Sequence, residues 1–194
     1  MKRIIFATAN PHKLFELRGM LPDHDVAGLA DIGCRDDIPE TADTFAGNAL
    51  QKAQWVLDRY PDVDTVAADD SGLEVEALGG EPGVHSARFA GEGHDSRANN
   101  ALLIERLSGI DNRRARFRTV VALLRRGAEP IFFEGTVEGT ITQAPRGSNG
   151  FGYDPYFVPD GFSRTFAELE PEEKNAVSHR GRAVAALCDF LNRS

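Results

Sequence analysis

The sequence lacks an excess of basic residues, and that absence limits the partners it can have. Lys and Arg total 22 against 30 Asp and Glu, which gives a formal net charge of −8 and a pI of about 5.1. Nonspecific binding to nucleic acid or to an anionic membrane needs a basic surface, so the charge balance argues against both. A small phosphorylated ligand remains compatible, provided that basic side chains converge locally.

Cysteine and long apolar runs are also scarce. The two cysteines, Cys34 and Cys188, are far apart in the chain and lack the spacing of a metal site. Cys188 falls on an apolar stripe of a predicted helix, which favours a core position. The opening run MKRIIFATANP is too short for a secretory signal, and no apolar run approaches membrane-spanning length. These absences predict a soluble cytoplasmic protein.

Hydrophobic periodicity predicts the secondary structure. Strands are expected at 3–7, 65–68, 116–124, 130–141 and 156–158, with a β-unit near 25–29 and strand-like alternation continuing at Leu73, Val75 and Ala77. Helices are expected at 11–21, 44–60, 94–107, 171–177 and 181–193. Strands alternate with helices early in the chain and form a long hairpin later. This pattern predicts an α/β fold on a mixed sheet, either as one domain or as two lobes on one sheet.

The predicted turn between the first strand and the first helix is suited to phosphate. Its residues are Thr8, Ala9, Asn10, Pro11, His12 and Lys13. Asn10 can cap the helix, and Pro11 suits its first position. A helix N-terminus presents N–H groups and a partial positive charge, to which Lys13 adds a full charge. Many α/β proteins combine a capped helix with a surface lysine, so this turn does not decide the function alone.

A pair of carboxylates follows the predicted strand 65–68. An exposed turn is the simpler interpretation of Asp69, Asp70 and Ser71, because Asp-Ser-Gly is a common turn composition. Their position at the end of a buried strand, where α/β proteins place their sites, favours a cation site instead. Glu40 could supply a further oxygen ligand. One or two carboxylates, completed by substrate phosphates and water, suit Mg²⁺.

Two clusters late in the chain suit a purine base. The first is the turn Phe151, Gly152, Tyr153 and Asp154, and the second is Lys174, His179 and Arg180. Glycines on both sides of Phe151 weaken core packing as the only role of its ring. The three basic residues, taken singly, would be solvated helix residues. A 6-oxopurine presents an acceptor at O6 and a donor at N1, and adenine reverses both. Donors from His179 and Arg180 to O6, with Asp154 accepting from N1–H, could discriminate by ~10²–10⁵.

Six ordered motifs along the chain together resemble the inosine/xanthosine triphosphate pyrophosphatase family. They are TxNxxK at Thr8–Lys13, TFxxNAxxKA at Thr44–Ala53, ADDSGL at Ala68–Leu73, PGVHSARFAG at Pro82–Gly91, GFGYDPxF at Gly150–Phe157 and EKNxxSHRxxA at Glu173–Ala183. The resemblance covers essentially the whole chain and implies a single pyrophosphatase domain over 1–194. It also implies an elongated mixed sheet flanked by helices, two lobes around a nucleotide-binding cleft, a homodimer and Mg²⁺ as cofactor.

The resemblance further implies a role for each matching residue. Mg²⁺ would be held by Asp70 and Glu40, and Asp70 would also be the general base. The substrate would contact Thr8, Ala9, Asn10, Pro11, His12, Lys13, Lys52, Ser71, Arg88, Phe151, Gly152, Tyr153, Asp154, Lys174, His179 and Arg180. Two segments depart from the family pattern. Residues 9–12 stand where Gly-Asn and a glycine before the lysine are frequent, and His85 stands where tyrosine is usual.

The expected reaction converts deaminated purine nucleoside triphosphates (ITP, dITP and XTP) to the monophosphate and pyrophosphate, which cleanses the nucleotide pool. One alternative is a sensor that binds a purine nucleotide without cleaving it. The carboxylates Glu40, Asp69 and Asp70 disfavour a sensor, because binding an anion does not require them. A second alternative is a pyrophosphatase for modified pyrimidine nucleotides on a similar fold.

Overall fold

A computed structural model describes residues 3–8 and 11–193. Within them, six strands form one sheet: β1 (Arg3–Phe6), β2 (Asp25–Gly28), β3 (Thr65–Val75), β4 (Arg114–Arg125), β5 (Ile131–Ile141) and β6 (Phe157–Pro159). Their order across the sheet is β2-β1-β3-β4-β5-β6. Strand β1 runs parallel to β2 and β3, whereas β5 and β6 are antiparallel. The predicted mixed sheet is therefore confirmed.

Five α-helices lie within the described residues, and two of them begin at a side-chain cap. They are α1 (Pro11–Met20), α2 (Phe45–Arg59), α3 (Ser96–Arg106), α4 (Pro171–Val177) and α5 (His179–Arg193). The Thr44 hydroxyl accepts from the Gly47 amide at the start of α2, and the Asp95 carboxylate caps α3 through the Arg97 amide. Over 3–8 and 11–193, no helix combines the length and apolar character that crossing a membrane requires.

The chain divides into two compact units. Unit 1 comprises the described residues of Met1–Asp70, Thr119–Glu134 and Gly181–Ser194, and unit 2 comprises Ser71–Arg118 and Gly135–Arg180. Unit 1 contains two apolar clusters, one around Phe6, Leu17, Val121 and Leu187 and the other around Ile5, Val56 and Val66. The cluster of unit 2 includes Leu73, Leu103, Phe117, Phe157 and Phe166. Each unit thus buries apolar side chains of its own.

An arginine side chain closes the C-terminal end of α2 in unit 1. One guanidinium nitrogen of Arg126, Nη2, donates to the carbonyls of Leu57, Tyr60 and Val63 at 2.8, 3.1 and 2.9 Å. The last carbonyls of a helix have no partner within the helix, so a cation placed there satisfies them and also interacts favourably with the helix dipole. This contact ties the end of α2 to the turn that follows β4.

Two predicted boundaries near candidate site residues are wrong. Strand β3 does not end at Ala68 but continues through Asp69 and Asp70 to Val75. Both carboxylates are buried and find partners inside the protein, so the chain need not turn toward water there. Helix α5 begins at His179 rather than Gly181, which places His179 and Arg180 in its first turn. These two side chains are buried, which excludes the alternative that they are ordinary solvated residues of a helix.

Candidate functional site

Two adjacent carboxylates on β3 lie at the centre of a polar cluster in unit 1. The residues Asp69 and Asp70 are only 1% and 6% exposed. The Lys13 ammonium on α1 donates to Asp69 Oδ2 at 2.9 Å. The side-chain amide of Asn48 on α2 donates to Asp70 Oδ2, also at 2.9 Å. Burying a carboxylate without such partners costs free energy. The donors from α1 and α2 offset that cost, so both aspartates can occupy a buried strand.

A buried lysine adds a second cation to this cluster. Lys52 lies one turn after Asn48 on α2, is 7% exposed, and forms an ion pair with Glu40 from the preceding loop. Burial by itself lowers the pKa of Lys52, but the negative charges of Asp69, Glu40 and Asp70 outweigh it and the net pKa is raised. The ammonium therefore stays protonated at neutral pH, as a phosphate-binding residue must.

The pKa of Asp70 is shifted in the opposite sense. Burial raises it above the ordinary value for aspartate, while the Lys52 charge and the Asn48 hydrogen bond oppose that rise. A carboxylate whose pKa is raised is a stronger base than an exposed one. This electrostatic setting suits a general base.

Asn48, which the sequence places one helical turn from Lys52 but to which it assigned no role, is a further candidate site residue. It is completely buried, and its Oδ1 accepts from the Ala42 amide at 2.9 Å. That bond fixes which end of the side-chain amide faces Asp70, so the NH₂ group is the donor. The available signal was its spacing, since a residue four positions before Lys52 shares the same helix face.

The oxygens of this cluster fit a hard divalent cation. Mg²⁺ favours oxygen ligands and is typically held by one or two carboxylates, with phosphate oxygens and water completing its shell. Over residues 3–8 and 11–193, no group of three or more His, Cys, Asp or Glu side chains is arranged to hold a metal alone. Asp70 and Glu40 would therefore need phosphate oxygens or water to complete the shell of Mg²⁺, and binding of the metal by these two residues stays a prediction.

The predicted phosphate turn is described only in part. Thr8 lies half-buried just after β1, and Pro11 starts α1 as an exposed residue. Ala9, Asn10 and the side chain of His12 lie outside what the structure describes. Phosphate binding by this turn stays a prediction, with the Lys13 contact to Asp69 as the observed polar link to the cluster.

A second polar cluster lies in unit 2 and is built on the turn at 151–154. Asp154 Oδ2 accepts from the Phe151 amide and from the Lys174 ammonium, both at 2.8 Å. The side chains of Asp154 and Lys174 are 5% and 6% exposed. Burial raises the pKa of Asp154, and the Lys174 charge and the Phe151 N–H oppose the rise. Asp154 thus shapes the turn itself, and acceptance from a purine N1–H stays a prediction.

Two cationic side chains lie beside the Phe151 ring. Lys174 Nζ lies 4.9 Å from the ring centroid, and Arg180 Cζ lies 5.4 Å from it. Both distances are within the range of cation–π attraction. The ring is half-buried, so part of it remains open to solvent. A partly exposed aromatic ring flanked by fixed donors is suited to stacking against a flat base that carries acceptors.

The other aromatic groups of the predicted base site face the interior of unit 2. The phenol of Tyr153 is buried, which raises its pKa, and it donates to the Ser86 carbonyl at 2.8 Å. The His179 ring stacks on Phe117, with centroids 4.7 Å apart and planes 10° apart. Their observed contacts therefore anchor the turn and the first residues of α5. Sequence reasoning assigned both of them to the substrate.

The comparison with known proteins identifies the family. The model of the Ham1 family matches residues 4–190. The chain belongs to the Ham1 family. A Porphyromonas gingivalis protein named dITP/XTP pyrophosphatase is 55% identical over 193 residues, covering 98% of each chain. The solved Ham1 protein of Coxiella burnetii is 38% identical, with a TM-score of 0.91 and full coverage of both chains. That of Staphylococcus aureus is 40% identical, with a TM-score of 0.89 and 98% coverage of both. The predicted family is confirmed.

Three further positions in this Ham1-family chain were singled out from the sequence. Ser71 is half-buried in β3, directly after the two carboxylates. Arg88 is half-buried at the end of a short 3₁₀ helix over Gly83–Arg88, and His85 is exposed in the same helix. Binding of substrate by Ser71 and Arg88 stays a prediction.

Proposed function

We propose that this Ham1-family protein hydrolyses ITP, dITP and XTP to the monophosphate and pyrophosphate in a Mg²⁺-dependent reaction that cleanses the nucleotide pool. The family and its named relatives show the enzyme class, a hydrolase that acts on anhydride bonds of nucleoside triphosphates. The substrate range, the metal, a homodimeric state and a cytoplasmic location belong to the proposal. The observation that carries it is the buried pair Asp69 and Asp70, held among two lysines.

In the proposed reaction, Asp70 takes a proton from the attacking water. The water oxygen forms a bond to the α-phosphorus, the bond from that phosphorus to the bridging oxygen breaks, and pyrophosphate leaves. Lys13 and Lys52 would face the phosphate charge, already oriented by their ion pairs with Asp69 and Glu40. Such fixed cations stabilise developing charge without reorganising during the reaction. Mg²⁺, bound by Asp70 and Glu40, would neutralise further phosphate charge.

Selectivity for a 6-oxopurine is proposed to come from the 151–154 turn. The base would stack on the Phe151 ring, near which Lys174 and Arg180 supply cationic donors. The O6 acceptor of hypoxanthine or xanthine can accept from such donors, whereas the 6-amino group of adenine is itself a donor and cannot pair with them. An unpaired buried donor costs enough to discriminate by several orders of magnitude.

A pyrophosphate-release assay over a nucleotide panel tests the proposal. With Mg²⁺ we expect kcat/KM for ITP, dITP and XTP to exceed that for ATP by at least ~10², and chelation of the metal should abolish turnover. Equal rates on ITP, GTP and ATP would remove the selectivity claim. Binding of ITP without pyrophosphate release would favour the sensor, and preference for a modified pyrimidine nucleotide would favour the third candidate.

The role of Asp70 is tested by Asp70→Asn. We expect turnover of ITP to fall by at least ~10²-fold, the scale of losing a general base, while thermal melting shows a folded protein. Asp62→Asn makes the same chemical change at an exposed position and should leave turnover unchanged. Turnover of Asp70→Asn near that of the control would reject the assignment.

The proposed dimer and location need separate measurements. Sedimentation equilibrium of the purified chain should give twice the mass of 21.2 kDa, and a monomer would contradict the dimer. Fractionation of the source cell should place the protein with the cytoplasmic enzymes. Recovery with the membrane or secreted fraction would contradict that location.

A further inference from the structure

The backbone of the 151–154 turn has little intrinsic preference for its conformation. Gly150 and Gly152, on either side of Phe151, have φ of +74° and +61°. Glycine reaches this left-handed region without steric cost, but it reaches many other conformations equally well. The position of the Phe151 ring therefore depends on the side chains that bond to the backbone of the turn.

One such contact comes from Asn100 on α3, 52 residues earlier in the chain. Its Nδ2 donates to the Gly152 carbonyl at 2.9 Å. Its Oδ1 is buried and accepts no hydrogen bond from any residue that the structure describes. The reverse orientation of the amide would set Oδ1 against the Gly152 carbonyl oxygen, and two acceptors repel. The contact to Gly152 thus determines the orientation of the amide.

Helix α3 holds Asn100 in a fixed position relative to the core of unit 2. Its first turn is capped by Asp95, and Leu103 on the same helix is fully buried in the apolar cluster of unit 2. The Asn100 amide therefore has a defined position, and it transmits that position to the Gly152 carbonyl. On the other side of the ring, Asp154 holds the Phe151 amide.

We propose that Asn100 is a positioning residue for base selectivity, acting through the Gly152 carbonyl on the Phe151 ring. The inference rests on the proposed function, because it assumes that this ring stacks on the base. Asp154 restrains the backbone just before the ring and Asn100 restrains it just after. Loss of either restraint lets the two glycines carry the ring away from the orientation in which the neighbouring cations meet a 6-oxopurine.

The substitution Asn100→Leu separates this role from a merely structural one. Leucine keeps the branched shape, removes the donor to Gly152, and also removes the buried acceptor that lacks a partner. Leucine is a better helix former than asparagine. Melting temperature should therefore be unchanged or higher. The ratio of kcat/KM for ITP to that for ATP should fall about fivefold, the scale of one lost hydrogen bond. A structural role predicts the reverse pattern, with stability lost and selectivity kept.

The experiment compares the wild type, Asn100→Leu and Asn192→Leu in the ITP and ATP assays, with Kd for the product IMP measured by calorimetry. Asn192→Leu makes the same change at an exposed position of α5 and should behave as wild type. IMP should bind Asn100→Leu about fivefold more weakly. Asn100→Ala, which also removes the donor, replaces it if the leucine variant does not fold.

The outcomes distinguish failure of the Asn100 inference from failure of the proposed function. A wild type that prefers ITP, beside an Asn100 variant with the same preference and the same Kd for IMP, overturns the inference and leaves the proposed function intact. A wild type without preference for ITP overturns the proposed function, and the inference falls with it. A folded Asn100→Leu with reduced ITP preference and weaker IMP binding supports both.

Discussion

Replacing Lys174 by methionine should destabilise the protein strongly, because it removes the cation that hydrogen-bonds to the buried Asp154 carboxylate. The two side chains are 6% and 5% exposed, and Nζ lies 2.8 Å from Oδ2. In the variant Lys174→Met, the Phe151 amide remains as a donor to that oxygen. Methionine keeps most of the length of lysine, so the change removes charge and hydrogen bonding rather than volume.

The expected loss of stability in Lys174→Met follows from the burial of the ion pair. Removing one partner of a buried ion pair typically costs about 3–5 kcal/mol, since the other charge is left uncompensated in a poorly solvated place. For a protein of this length, 1 kcal/mol corresponds to about 2–4 °C in Tm. The melting temperature should therefore fall by about 10 °C at neutral pH.

The loss should depend on pH in a defined direction. Burial already raises the pKa of Asp154 above its ordinary value of 3.8, and Lys174 opposes that rise. Without the lysine, the pKa of Asp154 in the folded state rises further above its value in the unfolded chain. The folded variant therefore binds this proton at a higher pH than the unfolded chain does. Stability of the variant then increases as pH falls through the raised pKa. The loss of stability relative to wild type should be largest above that pKa and should become smaller as the pH is lowered.

Thermal melting at several pH values, from neutral pH downward into the acid range, measures both effects. The double variant Lys174→Met with Asp154→Asn should recover more than half of the loss, because the carboxylate that Lys174 neutralised is then no longer charged. Arg114→Met breaks a pair with Asp160 whose side chains are 45% and 55% exposed, and it should cost at most about 1 kcal/mol. A deficit that is constant with pH, or no larger than that of the exposed pair, would refute the reasoning.

Two further substitutions test contacts within unit 1. Asn48→Leu should lower kcat about tenfold, with KM nearly unchanged, because it removes the donor that orients Asp70; Gln54→Leu, exposed on the same helix, is the control. A larger change in KM than in kcat would contradict the positioning role. Arg126→Met should destabilise the protein by about 2 kcal/mol in urea unfolding, the scale of hydrogen bonds to a charged group. A loss no larger than that of the exposed Arg193→Met would show that the helix cap contributes little.

Local signals predicted several element boundaries correctly. The helix expected at 44–60 is observed over Phe45–Arg59, and the helix expected at 171–177 is observed over Pro171–Val177. Both begin at signals that act within a few residues, the hydroxyl of Thr44 and a proline at the first helical position. Where a neighbour in the chain determines the conformation, reading the chain is sufficient.

The end of β3 could not be predicted in the same way. Two adjacent aspartates before Ser-Gly favour a turn, because like charges repel and such residues bond to their own backbone. The partners that reverse this preference, Lys13 and Asn48, lie 56 and 22 residues away in the chain. Similarly, nothing near His179 indicates that its ring stacks on Phe117, which belongs to β4.

The sequence by itself determined the family, the mixed α/β class and the chemical types of the candidate site residues, since these follow from ordered motifs and local periodicity. Only the tertiary structure decided which partner each buried polar group has. In it, Asn48 donates a hydrogen bond to Asp70, Tyr153 to the Ser86 carbonyl, and Asn100 to the Gly152 carbonyl. Hydrogen bonds and ion pairs form over about 3 Å. Their strength therefore depends on distances between residues far apart in the chain, which no local pattern encodes.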